Sequence, residues 1–344
     1  MSTGAAEGAH GSDGARLVVL AGPTASGKTA LACALASLLG AEVISADSQQ
    51  CYRGLDAGTA KPTAAELARA RHHLLDVAWP EEQLDAAEFV RLAEGAIGEI
   101  HARGKRALVV GGTGLWLRAL VRGLLDAPSA DPAFRAGFRE RVAREGLAPL
   151  HAELLEKDPE AARAILPGDR VRIERALEVL ALGGTRLSEL QRAHRFAGRR
   201  HRARVVFLDP PRPLLWERIT ARTHALFSPA PGGPPGSAPL LKETRALLAR
   251  IETVPAAAKA LRIIGYGEAA EALAQGCTPA ALAAAEAACA ARTRQYAKRQ
   301  RTWFAKDAPA LDATGAPIVL HGVEPATPTL LGEALRAWYE PAPR

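Results

Sequence analysis

A glycine-rich loop with the sequence GPTASGKT spans residues 22–29 and carries the most explicit chemistry of the chain. The backbone N–H groups of such a loop and the N-terminus of the helix that follows form a concave site for anions. The lysine adds a positive charge for phosphate oxygens, and the hydroxyl after it is placed to bind Mg²⁺. The loop therefore predicts a site for a di- or triphosphate. Its residues are Gly22, Pro23, Thr24, Ala25, Ser26, Gly27, Lys28 and Thr29, with Thr29 as the candidate metal ligand.

Two further polar segments follow apolar runs that predict strands. Asp47 comes directly after the run at 42–46, and a Gly-Gly-Thr-Gly turn that contains Thr113 follows the run at 107–110. Because ligands of a parallel sheet bind beyond the carboxyl ends of its strands, we expect both segments to face the same crevice as the loop. A carboxylate there suits a general base or a metal ligand, and a hydroxyl suits a phosphate oxygen or a leaving group. An N-cap aspartate and an ordinary tight turn are the alternative interpretations.

An acidic residue that holds Mg²⁺ after a core strand is typical of ATPases and GTPases. In this chain the strand predicted at 107–110 ends in glycines, whereas Asp209 ends the strand predicted at 205–208. No separate motif for a nucleotide base accompanies the loop. The pattern favours a diphosphate that does not belong to a nucleotide. A P-loop kinase or NTPase that binds ATP stays open as the alternative.

The charge of the chain is concentrated where a polyanion would bind. The 344 residues carry a formal net charge of +7, and residues 292–306 contain no acidic side chain. Tyr296, Trp303 and Phe304 stand among the cations of that segment, and a second basic cluster spans 192–204. Lys and Arg neutralise nucleic-acid phosphates, and aromatic rings stack on unpaired bases. The two clusters indicate RNA or DNA as a partner, with a solvated cationic helix face as the alternative.

Residues 16–123 supply the scaffold for these groups, because strand and helix patterns alternate along them. Apolar runs predict strands at 17–20, 42–46 and 107–110, and longer periodic stretches predict helices near 28–39, 63–71, 85–103 and 115–122. This rhythm predicts an α/β fold with a parallel-sheet core like that of P-loop NTPases and helices on both faces.

Changes in composition predict the domain organisation. A charged, helical stretch without strand patterns interrupts the core, and the Pro/Gly-rich segment at 228–239 cannot be helical. The predicted parts are a disordered tail over 1–15, the first part of the core over 16–127, a helical insertion over 128–203, the completion of the core with basic C-terminal helices over 204–307, and a C-terminal tail over 308–344.

The cysteines and the apolar content indicate a cytoplasmic protein. Cys33, Cys51, Cys277 and Cys289 are scattered without metal-ligand spacing, as is typical of reduced thiols in the cytosol. The first fifteen residues lack the apolar segment of a signal peptide. No stretch is long and apolar enough to span a bilayer, so we expect no membrane association.

Seven motifs, in their order and spacing, resemble those of the tRNA dimethylallyltransferases, also called tRNA isopentenyltransferases. The resemblance extends from about residue 16 to residue 307. The motifs are GPTASGKT at 22–29, DSQQCYRGLDAGTAKP at 47–62, GGTGLW at 111–116, RALEV at 175–179, RITAR at 218–222, IGYGE at 264–268 and TRQYAKRQRTWF at 293–304.

The resemblance implies transfer of a dimethylallyl group from dimethylallyl diphosphate to N6 of adenosine 37, beside the anticodon of tRNA. It implies that residues 22–29 hold the diphosphate, with Mg²⁺ near Thr29, and that the enzyme works as a monomer. Asp47 becomes the base that takes the N6 proton. Thr113 and Arg222 become catalytic groups at the diphosphate and its departing oxygen. A non-catalytic RNA-binding protein with a relic loop is a further alternative.

The resemblance also implies contacts to the anticodon stem-loop, some of them within the helical insertion. The implied tRNA contacts are Asp47, Ser48, Gln49, Gln50, Thr113, Arg135, Val171, Arg172, Ile173, Glu174, Arg175, Arg262, Ile263, Ile264, Gly265, Tyr266, Gly267, Lys298, Arg299, Gln300, Arg301, Thr302, Trp303, Phe304 and Ala305. Val171 stands where the family usually has Gln, and Gly267 and Ala305 stand where it usually has basic residues. The segment at 228–239 is also longer than usual. These departures affect the expected tRNA contacts and leave the chemistry unchanged.

Overall fold

The computed structural model describes residues 14–194, 200–229, 231–234 and 236–340. They form two compact units, one from the described parts of 1–121 and 200–344 and the other from the described part of 122–199. The sequence predicts the insertion over 128–203, whereas a strand of the first unit already begins at Arg202. The tail predicted over 1–15, apart from its last two residues, and the part of the basic cluster at 195–199 lie outside the described residues.

Within the described part of the first unit, six strands form one sheet in which every pairing is parallel. The strands are β1 (Arg16–Ala21), β2 (Ala41–Ser45), β3 (His72–His73), β4 (Arg106–Gly111), β5 (Arg202–Leu208) and β6 (Ile318–Leu320). Their order is β3-β2-β4-β1-β5-β6, so β1 has a partner on each side, with Val19 in register with Val109 and Val205. Residues 17–21 are buried, as their continuous apolar run predicts for a strand that is covered on both faces. The predicted α/β fold is confirmed.

Helices cover both faces of this sheet and make up the second unit. They are α1 (Lys28–Leu39), α2 (Ala64–Arg69), α3 (Ala86–Ala102), α4 (Gly114–Arg122), α5 (Pro132–Glu145), α6 (Ala148–Lys157), α7 (Pro159–Ala164), α8 (Arg170–Gly183), α9 (Leu187–His194), α10 (Arg212–Phe227), α11 (Pro239–Thr253), α12 (Tyr266–Ala274), α13 (Pro279–Leu311) and α14 (Thr327–Tyr339). A 3₁₀ segment at Pro255–Arg262 precedes α12. No helix in the described ranges is long and apolar enough to cross a membrane.

The second unit contains α5 to α9 and has its own apolar core. Phe138, Leu150, Leu154 and Ile173 are buried together there. The helix that carries several implied tRNA contacts, α8, is capped by Asp169, whose carboxylate accepts a hydrogen bond from the backbone N–H of Arg172. That cap satisfies one of the backbone donors that a helix N-terminus leaves without a partner.

The region beyond 308 is structured, although its sequence pattern predicts only a tail. Helix α13 continues to Leu311, β6 pairs with β5, and α14 packs against α1. The Tyr339 hydroxyl donates to the carbonyl of Ala107 at 2.6 Å, and the Trp338 indole donates to the carbonyl of Leu17 at 3.0 Å. A strand of three residues is too short for its sequence pattern to be recognised. Its partner β5 lies more than a hundred residues away, so no local pattern shows the pairing either.

Removing the buried apolar face of α14 should destabilise the first unit. Leu335 is 1% exposed, so Leu335→Ala should lower the free energy of unfolding by about 2–5 kcal/mol. Leu330 lies on the same helix and is 64% exposed, so Leu330→Ala should change it by less than about 0.5 kcal/mol. Urea unfolding followed by circular dichroism measures both. Equal effects of the two variants would contradict the placement of α14.

Candidate active site

A cavity of about 490 Å³ lies beyond the carboxyl ends of β1 and β2. Thr24, from the loop after β1, and Asp47, from the loop after β2, contribute polar groups to its wall, together with Arg222 of α10. Apolar side chains also line the cavity, from helices α10 and α13 and from the residues directly after the 3₁₀ segment. These apolar lining residues are Ile219, Leu226, Ile263, Ile264 and Cys289. The cavity lining therefore combines charged and apolar side chains, as sites for amphiphilic ligands do.

The glycine-rich loop has the local geometry that its sequence predicts. Gly27 has φ 93°, in the left-handed region that glycine adopts without steric cost, and α1 begins at the next residue. The Lys28 ammonium group donates to the carbonyls of Gly22 at 2.9 Å and Pro23 at 2.7 Å. The hydroxyl oxygen of Ser26 is buried and has no hydrogen-bond partner among the described residues. An anion seated in the loop would give that hydroxyl an acceptor.

Burial controls the charge of Lys28. It lowers the pKa of this ammonium group to about 8, because the charged form is poorly solvated there. The carboxylate of Asp47 opposes this shift, and the guanidinium of Arg222 adds to it. These effects place a negative charge and two positive charges near the same loop, which is an arrangement suited to a polyanion.

The three residues that the resemblance marks as catalytic lie on two loops and on α10. The Thr113 hydroxyl accepts a hydrogen bond from the backbone N–H of Ser48 at 3.0 Å, which joins the loops after β2 and β4. The Asp47 carboxylate accepts one from the N–H of Gln49 at 2.9 Å. Arg222 donates to the Thr24 hydroxyl at 3.1 Å, so it reaches the glycine-rich loop from α10. Parallel strands bring these separate segments to one edge of the sheet.

Gln300 holds two of these loops together. Its amide nitrogen donates to the carbonyl of Gly112 at 3.0 Å, and its amide oxygen accepts from the backbone N–H of Thr24 at 2.8 Å. The side chain is 6% exposed. The resemblance assigns Gln300 to tRNA, and the structure instead places its amide between the two glycine loops. Sequence reasoning missed this bridge because nothing in a helical motif shows which side chains turn inward.

The basic segment of α13 has an inner face and an outer face. Gln300 and Phe304 are buried, and Arg301 makes a two-point ion pair with Asp209 at 2.5 and 3.1 Å. Asp209 is the residue that would hold Mg²⁺ if the protein were an ATPase. Its negative charge is already paired with Arg301. The implied tRNA contacts that are exposed on α13 are Lys298, Arg299, Thr302 and Ala305. Trp303 is partly buried and touches Phe304 edge-on.

Tyr296 lines the cavity, although the implied contacts do not include it. Burial raises the pKa of its hydroxyl above the usual range, so the group stays protonated. The guanidinium of Arg299 lies 5.8 Å from the ring centroid. The aromatic ring inside an acid-free basic run was the sequence signal for it.

Contacts near α12 also divide into inner and outer positions. Arg262 is exposed, Ile263 and Ile264 line the cavity, and Gly265 and Tyr266 are buried. Near β2, Gln50 bonds within its own region, since its amide donates to the carbonyl of Ala60 at 2.8 Å. The structure therefore brings only part of each implied tRNA motif to the surface.

In the second unit, Glu178 organises two of the implied tRNA contacts. Burial alone would raise the pKa of Glu178, but hydrogen bonds from Arg135 and Arg175 lower it to about 2. The guanidinium of Arg135 lies 2.8 Å from the carboxylate, and that of Arg175 lies at the same distance. The remaining implied contacts of this unit are Val171 and Arg172, which are exposed, and Ile173 and Glu174, which are buried.

The parallel sheet, the glycine-rich loop after its central strand and the polar cavity beside that loop define the P-loop class of α/β folds. Comparison with known proteins narrows this class. The family model described as IPP transferase matches residues 50–307. A tRNA dimethylallyltransferase of Anaeromyxobacter sp. (strain Fw109-5) is 51% identical over 295 residues, covering 85% of this chain and 92% of that protein. One of Myxococcus xanthus (strain DK1622) is 45% identical over 293 residues, covering 85% and 90%.

Solved structures agree with this assignment. The full-length tRNA isopentenylpyrophosphate transferase from Bacillus halodurans matches with a TM-score of 0.62 and 32% identity, covering 94% of this chain and 96% of that chain. A eukaryotic dimethylallyltransferase acting on tRNA matches with a TM-score of 0.74 and 25% identity, covering 89% and 73%. The chain belongs to the IPP transferase family.

The pKa of Lys28 makes a prediction for anion binding. Bound pyrophosphate should favour the charged ammonium, so the contribution of Lys28 to affinity should be level below pH 8 and fall above it, by up to about tenfold per pH unit. Titration calorimetry from pH 7 to 9.5 measures this. Lys28→Arg keeps its charge over that range, so dividing the two dissociation constants removes the ligand's own titration. A ratio independent of pH would contradict the shifted pKa.

Removing the Gln300 bridge should loosen the glycine-rich loop. Gln300→Ala leaves the N–H of Thr24 and the carbonyl of Gly112 without this partner, at a cost of about 1–3 kcal/mol in the free energy of unfolding. Pyrophosphate should bind more weakly as well. Gln295 is exposed on the same helix, so Gln295→Ala is the matched control. A Gln300→Ala protein that binds pyrophosphate normally and loses only tRNA affinity would refute the bridging role.

Proposed function

We propose that this protein transfers a dimethylallyl group from dimethylallyl diphosphate to N6 of adenosine 37 in tRNA, giving N6-(dimethylallyl)adenosine and diphosphate. The relatives named tRNA dimethylallyltransferase support the reaction. The observation that carries the proposal is the cavity that Thr24, Asp47 and Arg222 line together with apolar side chains. Such a cavity suits a substrate with an anionic head and a short hydrocarbon chain.

The phosphate-binding loop stabilises the leaving group. As the allylic C–O bond breaks, negative charge grows on the diphosphate, and preorganised donors lower the energy of that charge. The loop N–H groups, Lys28 and Arg222 supply those donors. The apolar side chains Ile219 and Leu226 hold the hydrocarbon chain away from water. Uncoupled hydrolysis of the substrate is thereby limited.

A magnesium ion fits the same loop. Thr29 would hold it, and the ion would neutralise diphosphate oxygens when bound. The buried Ser26 hydroxyl has no partner among the described residues, which supports an anion in the loop that such an ion would accompany. The described residues contain no group of three or more His, Cys, Asp or Glu side chains suited to a metal.

Asp47 acts as the base for the incoming adenine. The N6 amine is a poor nucleophile, and its proton becomes acidic as the new N6–C bond forms. The Asp47 carboxylate accepts that proton, while the electron pair of the broken C–O bond leaves with the diphosphate. Adenosine 37 reaches the cavity only when it leaves the stack of the anticodon loop. Tyr296 offers a ring at the cavity wall for the extruded base.

Exposed cations on the first unit bind the tRNA backbone. Lys298, Arg299 and Arg262 are exposed and lie on the segments that adjoin the cavity. In the second unit, Arg172 is exposed at the start of α8. We propose that these cations contact phosphates, that the protein works as a monomer, and that it acts in the cytoplasm, where its tRNA substrate is found.

Asp47→Asn tests the base directly. Loss of a positioned base should lower prenylation of unmodified tRNA by about 100-fold or more, while tRNA affinity changes little. The assay follows transfer from labelled dimethylallyl diphosphate, with a mass measurement on adenosine 37. Glu271→Gln makes the same carboxylate-to-amide change at an exposed position of α12 and should retain full activity. Unchanged prenylation by Asp47→Asn would remove Asp47 from the mechanism, and ATP turnover without any prenyl transfer would favour the kinase alternative.

A further inference from the structure

One carboxylate from α11 binds the loop at 56–58. Glu243 accepts hydrogen bonds on Oε1 from the backbone N–H groups of Asp56 at 3.1 Å and Ala57 at 2.7 Å. Its Oε2 accepts from the N–H of Gly58 at 3.3 Å. Three consecutive backbone donors thus converge on one side chain. Hydrogen bonds to an ionised carboxylate are stronger than those to a neutral acceptor, so Glu243 holds this loop tightly.

Tyr266 completes this arrangement from α12. Its hydroxyl donates to Oε2 of Glu243 at 2.7 Å, and the residue is 0% exposed. Its ring lies against Gly58, where a Cβ atom would stand 2.4 Å from ring carbon Cε2. Only glycine allows the ring to approach this closely. Tyr266 is therefore buried against the loop and has no surface for a tRNA contact.

The far side of the same loop holds Arg222. The carbonyl of Gly58 accepts a hydrogen bond from one guanidinium nitrogen at 3.2 Å, and the Thr24 hydroxyl accepts from another at 3.1 Å. A guanidinium is a rigid planar fork, so two anchors on different nitrogens determine its orientation. One anchor belongs to the phosphate-binding loop, and the other depends on the position of Gly58.

We propose that Glu243, together with Tyr266, is a positioning residue of the transfer reaction. It holds residues 56–58 so that the Gly58 carbonyl keeps Arg222 directed at the diphosphate. This inference rests on the role given to Arg222 in the proposed function. Neither Glu243 nor Tyr266 is among the described residues that line the cavity, so both act through the loop that they hold, whose Gly58 carbonyl binds Arg222.

A double-mutant cycle with Arg222→Ala separates this role from general support of the fold. Glu243→Gln should weaken pyrophosphate binding and lower kcat by about tenfold when Arg222 is present, within the range known for coupled neighbours. In the Arg222→Ala background, the same change should alter both quantities by less than about twofold. Pyrophosphate affinity is measured by calorimetry, and kcat and KM by transfer to tRNA.

Two further variants make the cycle decisive. Glu252 is exposed on the same helix, so Glu252→Gln is the matched control and should leave affinity and turnover unchanged. Tyr266→Phe keeps the ring on Gly58 and removes one donor, so it should show a smaller loss with the same dependence on Arg222. It replaces Glu243→Gln in the cycle if that protein does not fold.

The outcomes have distinct meanings. Equal losses in both Arg222 backgrounds would overturn the positioning role, because the effects would then be independent. A wild-type protein that transfers no dimethylallyl group would defeat the proposed function. In that case the pyrophosphate cycle alone still decides whether Glu243 acts through Arg222.

Discussion

The glycine-rich loop can bind an anion only if its backbone N–H groups stay directed at that ligand, so contacts from other parts of the chain must hold its shape. The structure supplies this support from elements distant in sequence. Gln300 of α13 bonds Thr24, Arg222 of α10 bonds the Thr24 hydroxyl, and Arg218 donates to the carbonyl of Ser26 at 3.3 Å. The loop is thus fastened by C-terminal helices, and much of the remaining architecture serves to place those helices.

This support gives α13 two tasks on opposite faces. On its inner face, Gln300, Arg301 and Phe304 contact the core, whereas Lys298 and Arg299 are exposed to solvent. A single acid-free run therefore contains both anchors and exposed cations. The net charge of the segment does not show which cations are anchors and which are exposed. Arg301 is paired with Asp209, which lies far from it in sequence, so the pattern of the helix alone does not show that pair. The helix that is proposed to bind tRNA is also the helix that holds the glycine-rich loop.

The positions of its acidic residues distinguish this cavity from that of an ordinary NTPase. Asp209, at the end of β5, forms an ion pair with Arg301. Asp47 is instead close enough to Lys28 to influence its pKa, as Arg222 is. The apolar side chains that line the cavity suit a hydrocarbon chain. Together these features favour an anionic leaving group attached to an apolar cargo, as the family assignment implies.

The sequence by itself determined the glycine-rich loop, the parallel α/β core and the family, because each depends on local patterns or ordered motifs. Sequence reasoning also selected Asp47, Thr113 and Arg222, which tertiary structure brings to one edge of the sheet. It missed β3, β6 and α14, since two very short strands and a terminal helix are specified by distant partners. Only the tertiary structure decided which implied tRNA residues turn inward. Whether a glutamine, arginine or tyrosine binds RNA or braces a loop depends on what lies across from it, and that partner comes from another part of the chain.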